Sequence, residues 1–235
     1  MKQWAALCVM LLVALVTSAQ DQPEYLLELG GGAGLGVYEG DFNDNLLKSP
    51  KPMGQLVARY KPNPRMAWAA DIAYGKLKGS SKNAKTWYPD LTDNPVDFST
   101  SLVDFAVRYE YNFWPFGTGR EYHGASILTP FIAIGVGLSF VSAENGPAGA
   151  KEKRSSVAGQ IPIGLGVKYK VADRLNLTAE WMMHFTGNDK IDGVVDPYGI
   201  ESSGLFKNTD CYSVLAVSLT YDLWAKCKTC HNDRE

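Results

Sequence analysis

The chain has 235 residues, of which 46% are hydrophobic and 11% aromatic, and its formal net charge is −2. This charge balance gives no reason to expect nucleic-acid binding. After the N-terminal segment there is no apolar run of about 20 residues, which argues against a helical membrane span in the mature chain.

The first segment, residues 1–19, has the three parts of a secretory signal peptide. Met1 and Lys2 form a short basic start, residues 4–16 are apolar, and small residues lead up to Ala19. Signal peptidase recognises small residues at such a site. We therefore expect residues 1–19 to be cleaved and the mature chain to leave the cytoplasm. The alternative is a buried N-terminal core helix.

Most of the mature chain alternates between polar and apolar residues with a period of two, which is typical of β-strands. In residues 175–185, for example, Leu177, Ala179 and Trp181 alternate with Thr178 and Glu180. The pattern predicts eight strands in chain order: residues 25–37, 53–60, 66–78, 97–113, 128–141, 156–170, 175–185 and 214–223. The alternation is weakest at residues 53–60.

A soluble β-sandwich would alternate in the same way, so length and aromatic placement decide between the two folds. Most segments have about ten or more residues, the length that a tilted strand needs to cross a bilayer. Aromatic residues near the ends of the apolar face resemble interfacial girdles; they are Tyr25, Tyr60, Trp68, Tyr74, Tyr111, Phe113, Tyr169, Phe185 and Tyr221. The sequence therefore predicts an all-β fold, an eight-stranded antiparallel transmembrane β-barrel of OmpA-like size, over residues 20–224.

The connections between these strands indicate an orientation. Long polar segments follow every odd-numbered strand, at residues 39–51, 79–95, 142–155 and 186–210, whereas residues 61–65 and 171–174 are tight turns. Bacterial outer-membrane barrels have long extracellular loops and short periplasmic turns. We expect an outer-membrane protein with both termini in the periplasm. Residues 114–127 form a longer connection than this rule predicts.

The polar set of the alternation would point into the barrel. Eight strands enclose only enough space for side chains to fill, and buried charges are costly unless they are paired. We expect opposite charges to pair inside and block the bore, so a diffusion pore is the weaker interpretation. The expected lumen charge network comprises Glu28, Arg59, Asp71, Asp104, Arg108, Glu110, Lys168, Glu180, His184 and Asp222.

Three stretches of sequence carry a family resemblance. Residues 161–170 read Ile-Pro-Ile-Gly-Leu-Gly-Val-Lys-Tyr-Lys and continue through residues 173–177 to Glu180 and Trp181. The Gly-rich first strand leads into Tyr-Glu-Gly-Asp-Phe at residues 38–42, and residues 129–131 precede Gly-Val-Gly at residues 135–137. These stretches resemble a Bacteroidetes outer-membrane β-barrel family that includes PorG of the type IX secretion system.

The resemblance spans nearly the whole mature chain. It implies a structural or assembly role in the type IX protein secretion machinery, anchoring periplasmic ring proteins at the outer membrane. A general OmpA-type surface barrel without a secretion role is the alternative, because related barrels outside that system look alike.

The C-terminal segment, residues 225–235, contains Cys227-Lys228-Thr229-Cys230-His231, a CxxCH string that can attach c-type haem. Only four residues follow His231, and no cytochrome body surrounds the string to cover a haem. Zinc would lack a fourth ligand nearby. We therefore expect no cofactor and no metal. In our interpretation this segment is a periplasmic tail that contacts ring proteins or lipoproteins, while outer-membrane lipids surround the barrel.

Cysteine placement adds a constraint. Cys211 sits at the outer end of the last strand, whereas Cys227 and Cys230 lie beyond its inner end, roughly 40 Å away for about twelve residues of strand. A disulfide needs Cα atoms within about 7 Å, so Cys211 cannot pair with either tail cysteine of the same chain. Cys227 and Cys230 then bridge each other or link to a partner, with Cys211 free or bound to a partner.

A barrel enzyme is the remaining class of function. The chain has three histidines, His123, His184 and His231. Glu180 and His184 share a strand face but lie about 13 Å apart along the strand, too far for a hydrogen-bonded pair. The acidic residues Asp189, Asp192 and Asp196 could bind calcium, although a solvated loop is the simpler interpretation. We expect no enzymatic activity.

Overall fold

The computed structural model describes residues 25–39, 49–80, 97–117, 125–146, 152–187 and 211–225. The predicted signal peptide, the loop acids at residues 189–196 and the tail beyond residue 225, with Cys227 and Cys230, lie outside the described residues. The described ranges form eight β-strands: β1 (Tyr25–Glu39), β2 (Lys51–Asn63), β3 (Met66–Ser80), β4 (Asp97–Asn112), β5 (Leu128–Gly146), β6 (Glu152–Ala172), β7 (Leu175–Thr186) and β8 (Cys211–Ala225). No helix within these ranges is long and apolar enough to cross a membrane.

The eight strands form one closed antiparallel barrel in sequence order. The barrel closes where β1 pairs with β8 along its whole length, from Tyr25 opposite Ala225 to Glu39 opposite Cys211. Closure leaves no strand edge at the seam, so the backbone groups of both strands are paired inside the sheet. The predicted fold class, an eight-stranded antiparallel barrel, is confirmed.

The two ends of the barrel differ. At the turn end, two-residue turns join β2 to β3 and β6 to β7, and both Tyr25 and Ala225 lie there. At the loop end, β1 finishes at Glu39 and β8 begins at Cys211. The termini of the barrel therefore share the end that carries the short turns.

The strands are strongly staggered. A path along paired residues once around the barrel starts at Val37 and runs through Ser213, Met183, Ile163, Ile134, Tyr109, Trp68 and Tyr60. It returns to β1 at Leu27, ten residues from its start. This stagger accompanies a strand tilt of about 35–45° and an interior that side chains can fill.

A belt of exposed apolar side chains surrounds the barrel. On β3–β6 the apolar belt ends abruptly toward the loop end. Its last row is Tyr74, Val103, Phe140 and Val157, and the next outward-facing row, two residues closer to the loop end on each strand, is Lys76, Ser101, Ser142 and Ser155. On β5 the belt covers residues 128–140, which is about 30 Å at about 3.3 Å per residue and a tilt of about 40°. This height matches the hydrocarbon thickness of a bilayer.

Two predicted connections were wrong, while the other predicted strand ends lie within three residues of the observed ones. The first concerns residues 61–65, because β2 continues to Asn63 and the turn consists of residues 64–65 alone. Lys61 continues the inward series of Val57 and Arg59. The strand tolerates Pro62 because the register shifts between Tyr60 and Asn63, where a missing amide donor does no harm.

The second wrong connection is residues 142–155, which are not a long loop. β5 and β6 stay paired from Ser142 opposite Ser155 up to Asn145 opposite Glu152. Beyond the bilayer the outward residues become polar, so the contrast between the two faces fades while the backbone ladder continues. Since β7 pairs with β6 only as far as Gln160, strands β3–β6 extend past their neighbours as a projecting sheet at the loop end.

The connection between β4 and β5 covers part of the turn end. The amide of Phe116 donates to the carbonyl of Pro64 at 3.0 Å, and Phe116 also forms a parallel bridge with Ser126. The side chain of Phe116 is 1% exposed. The described part of this connection, residues 113–117 and 125–127, therefore packs onto the turn between β2 and β3 through Phe116.

Candidate functional site

The lumen is the candidate site, because the polar faces of all eight strands converge there. The structure places all ten residues of the expected charge network inside the barrel, none of them more than 7% exposed: Glu28, Arg59, Asp71, Asp104, Arg108, Glu110, Lys168, Glu180, His184 and Asp222. They separate into a charged group toward the turn end, here called the lumen network, and a group of hydrogen-bonded side chains around Asp104 and His184.

Arg59 is the centre of the lumen network. Its Nε lies 3.1 Å from both carboxylate oxygens of Glu110, and its Nη1 donates to Glu28 at 2.9 Å. The third nitrogen, Nη2, is 3.8 Å from Glu180. One guanidinium thus contacts carboxylates from β1, β4 and β7, which its planar, multiply donating group is suited to do.

Arg108 on β4 is a second bridging cation. Its Nε is 2.8 Å from Asp71 on β3, and its Nη1 donates to Glu180 on β7 at 3.2 Å. Gln55 on β2 donates to the other oxygen of Glu180 at 2.9 Å. Glu180 is therefore held by two strands on the opposite side of the bore.

Two lysines complete the lumen network. Lys168 donates to Glu110 at 2.6 Å and to Asn112 at 3.0 Å, and its ammonium group lies 4.6 Å from the ring centre of Phe131. Lys61 forms a short ion pair with Asp222 and is 3.4 Å from Glu28. Lys61 is absent from the residues expected on sequence grounds, because the predicted second strand ended at residue 60 and left Lys61 in the turn.

The charges of the lumen network nearly balance. Four cations face five carboxylates, and each cation has a carboxylate within 4.0 Å. A buried ion pair that loses one partner leaves an uncompensated charge, which costs several kcal/mol. The network therefore joins strands across the bore and fills it with side chains that cannot easily move apart.

The second polar group lies closer to the loop end. The hydroxyl of Tyr212 donates to Asp104 at 2.7 Å and is 2.7 Å from Oε1 of Gln160. Nδ1 of His184 is 2.6 Å from the same Gln160 oxygen, and the His184 ring stacks on Tyr212 with centroids 4.5 Å apart. His184 and Glu180 thus have separate partners, and the structure does not bring them together as an acid–base pair.

An apolar layer closes the loop half of the bore. Tyr38, Met53, Leu77, Leu102 and Val141 belong to one buried cluster, and Leu77 and Leu102 are 0% exposed. These side chains point inward from five different strands. The bore is therefore blocked by charge pairs at one level and by apolar packing at another.

The apolar layer is missing from the sequence-based expectations, although the sequence contains a signal for it. Near the loop end, neighbouring residues on one strand are both apolar, as in Leu102-Val103 and Phe140-Val141. Such pairs indicate a strand segment that is apolar on both faces, one toward lipid and one toward the interior.

Of the four cysteines in the chain, Cys211 lies within the described residues. Cys211 is half-buried at the loop end, opposite Glu39, while β8 ends at the turn end with Ala225. Cys227 and Cys230 follow Ala225 and lie outside the described residues. The proposed pairing of the tail cysteines stays a prediction.

Comparison with known proteins places the chain in a family. The model of the DUF6089 family, described as a domain of unknown function, matches residues 4–232. A search of characterised proteins gave no significant match.

Solved structures share the fold at low identity. A major outer membrane protein from Thermus thermophilus is 11% identical with a TM-score of 0.50, covering 84% of this chain and 99% of that one. Neisserial surface protein A is 17% identical with a TM-score of 0.49, covering 84% and 97%. Ail, the attachment invasion locus protein of Yersinia pestis, is 11% identical with a TM-score of 0.47, covering 86% and 99%. Such likeness concerns the fold alone, and here the fold is that of an outer-membrane barrel. The chain belongs to the DUF6089 family and is an outer-membrane-type β-barrel.

Proposed function

We propose that this protein is a sealed outer-membrane anchor, a structural or assembly component that holds partner proteins at the membrane and catalyses no reaction. The observation that carries the proposal is the filled bore. Arg108 and Glu180 join opposite sides of it, and the apolar layer that includes Leu77 and Leu102 fills it closer to the loop end. A barrel without a passage can act only through its two ends and its lipid-facing surface.

The turn end is the side on which we place the partners. Short turns and both chain termini are the periplasmic features of outer-membrane barrels, and the tail of residues 225–235 continues from β8 at this end. Its Cys227 and Cys230, together with Lys226, Lys228 and Asp233, offer covalent and charge-assisted contacts to periplasmic ring proteins or lipoproteins. The resemblance of residues 161–181 to the barrel family that includes PorG supports a place in the type IX secretion machinery.

A general surface barrel is the second candidate, and one observation favours it. Strands β3–β6 extend past β2 and β7 at the loop end, which presents a sheet of ordered backbone on the side opposite the tail. A protein that acted only in the periplasm would not need that projection. In this alternative the loop end interacts with molecules outside the cell and the tail has no partner.

Truncation after Trp224 distinguishes the two candidates. The truncated barrel should still insert and shift its gel mobility on heating, because the β1–β8 seam is complete up to that point. It should no longer co-purify with periplasmic partners from detergent-solubilised outer membranes, and secretion of type IX cargo should fall. A full-length Cys227→Ser/Cys230→Ser variant is the matched control that separates covalent linkage from charge contacts. Normal partner recovery and normal secretion by the truncated chain would leave the surface-barrel interpretation.

A further inference from the structure

Two exposed lysines lie directly above the apolar belt at the loop end. Lys76 and Lys78 both face outward on β3, and Tyr74, which precedes them on the same face, belongs to the last row of the belt. Neither ammonium group has an ion-pair partner among the described residues. The exposed Glu144 shares the register row of Lys78 but is two strands away on β5, roughly 10 Å. This edge of the belt therefore carries two positive charges that no described carboxylate neutralises.

The height of the two lysines above the belt corresponds to the headgroup layer of a bilayer. At about 3.3 Å per residue and a strand tilt of about 40°, the backbone of Lys76 lies about 5 Å beyond Tyr74 and that of Lys78 about 10 Å beyond it. The headgroup layer is about 5–8 Å thick on each side of the hydrocarbon core. Because a lysine stem is long and flexible, both ammonium groups can reach this layer.

Serine hydroxyls accompany the lysines on the neighbouring strand. Ser101 is the register partner of Lys76 and Ser99 is that of Lys78, and both serines are half-buried on the outward face of β4. Opposite residues have Cβ atoms about 5 Å apart, and residues two apart on one strand are separated by about 7 Å. These four side chains, here called the loop-end patch, can therefore donate together to the oxygens of one phosphate group.

The opposite edge of the same two strands differs. There the outward residues are Met66 on β3 and Tyr111 on β4, which are register partners. The exposed cation next to them, Arg65, donates its Nη1 to the carbonyl of Phe113 at 2.8 Å. Among the described residues of β3 and β4, the unpaired basic charge therefore lies at the loop end.

We propose that the loop-end patch binds a phosphate group of lipid A, the phosphorylated glycolipid of outer leaflets. The loop end faces the outer leaflet in the orientation that the short turns favour. A phosphomonoester carries about two negative charges and three acceptor oxygens, which matches two ammonium groups and two hydroxyls. A zwitterionic headgroup offsets its own phosphate charge and is a poorer match. This contact is independent of the tail and of any partner protein, so it goes beyond the anchoring function.

The test is native mass spectrometry of the full-length folded protein in detergent micelles, with either lipid A or a synthetic analogue that has the same acyl chains and no phosphates. The wild type should retain roughly ten-fold more lipid A than analogue, as expected for two lysines at an anionic headgroup. Lys76→Gln/Lys78→Gln should lower the retention of lipid A to the level of the analogue.

Arg65→Gln/Lys170→Gln is the matched control, because it removes the same number of positive charges at the turn end. It should retain lipid A at the wild-type level, and heat-shifted gel mobility reports that each variant is folded. Equal retention of lipid A and the analogue by the wild type, or wild-type retention by the folded lysine variant, would overturn the proposal. A control variant as weak as the lysine variant would also overturn it, since net charge would then explain the binding.

Discussion

Arg59 on β2 and Glu110 on β4 meet across the inner face of β3, with the Nε of Arg59 3.1 Å from both oxygens of the carboxylate. Both side chains are 0% exposed. This contact links two strands that share no backbone hydrogen bonds, since each of them pairs with β3. Side-chain contacts in the lumen therefore stabilise the barrel in addition to the backbone hydrogen bonds of the sheet.

Replacing Arg59 should therefore be among the most destabilising changes in the lumen. Arg59→Met leaves Glu28, Glu110 and Glu180 without their shared cation, and we expect a loss of about 3–5 kcal/mol in the free energy of unfolding. Urea unfolding in lipid vesicles, followed by heat-shifted gel mobility, measures it. Lys78→Met, at an exposed position on β3, is the control and should change stability by less than about 1 kcal/mol. Equal effects of the two substitutions would contradict the role of the lumen network.

The seam between β1 and β8 makes a second prediction. A Cβ atom added at Gly32 would lie 2.3 Å from the carbonyl oxygen of Val217, whereas one added at Gly159 on β6 would meet nothing within 4 Å. Gly32→Ala should then force the two strands apart and cost about 1–3 kcal/mol. Gly159→Ala should be close to neutral under the same urea titration. Wild-type stability of both variants would show that β1 and β8 have room for a methyl group at Gly32.

The hydrogen bonds around Asp104 give a third prediction. Tyr212→Phe removes the hydroxyl that donates to Asp104 and leaves a buried carboxylate with a poorer set of donors. We expect a loss of about 1–3 kcal/mol in unfolding free energy. Tyr74→Phe, which removes a hydroxyl from an exposed ring, should have no comparable effect. A Tyr212→Phe variant as stable as Tyr74→Phe would show that this group does not fix the lumen.

The barrel and its charged interior could be predicted from sequence because one physical rule governs both. A strand with lipid on one side and polar side chains on the other must alternate, so Glu110 and Lys168 could be assigned to the lumen before any contact was known. The ion-pair partners of these residues could not be predicted from the sequence. Alternation gives the face of a residue but not its register, and the register determines that Arg59 meets Glu110.

Alternation fails as a guide where a strand does not have lipid on one face and polar side chains on the other. Above the bilayer, Ser142 and Ser155 still pair, but both strand faces lose their contrast, so the sequence predicted a loop. Inside the loop half of the barrel, Leu102 is apolar on the face that was expected to be polar. At the turn end, Pro62 suggested a turn and hid the inward position of Lys61. Each error lies at the border of the membrane or of the polar lumen.

Orientation is a fourth prediction. If the turn end is periplasmic, a protease added to intact cells should cut within residues 81–96 or 188–210, which connect strands at the loop end. The tail after Trp224 should be cut only after the outer membrane is permeabilised. Mass mapping of the fragments measures both. Cleavage of the tail in intact cells would reverse the orientation and remove the basis for periplasmic partners.

Ion conductance across a planar lipid bilayer shows whether the barrel is sealed. The purified, folded protein should give no current steps above the baseline of the empty bilayer, because the lumen network around Arg59 and the apolar layer around Leu77 each close the bore. Stable, discrete current steps from the folded wild-type protein would show a water-filled passage and contradict the account.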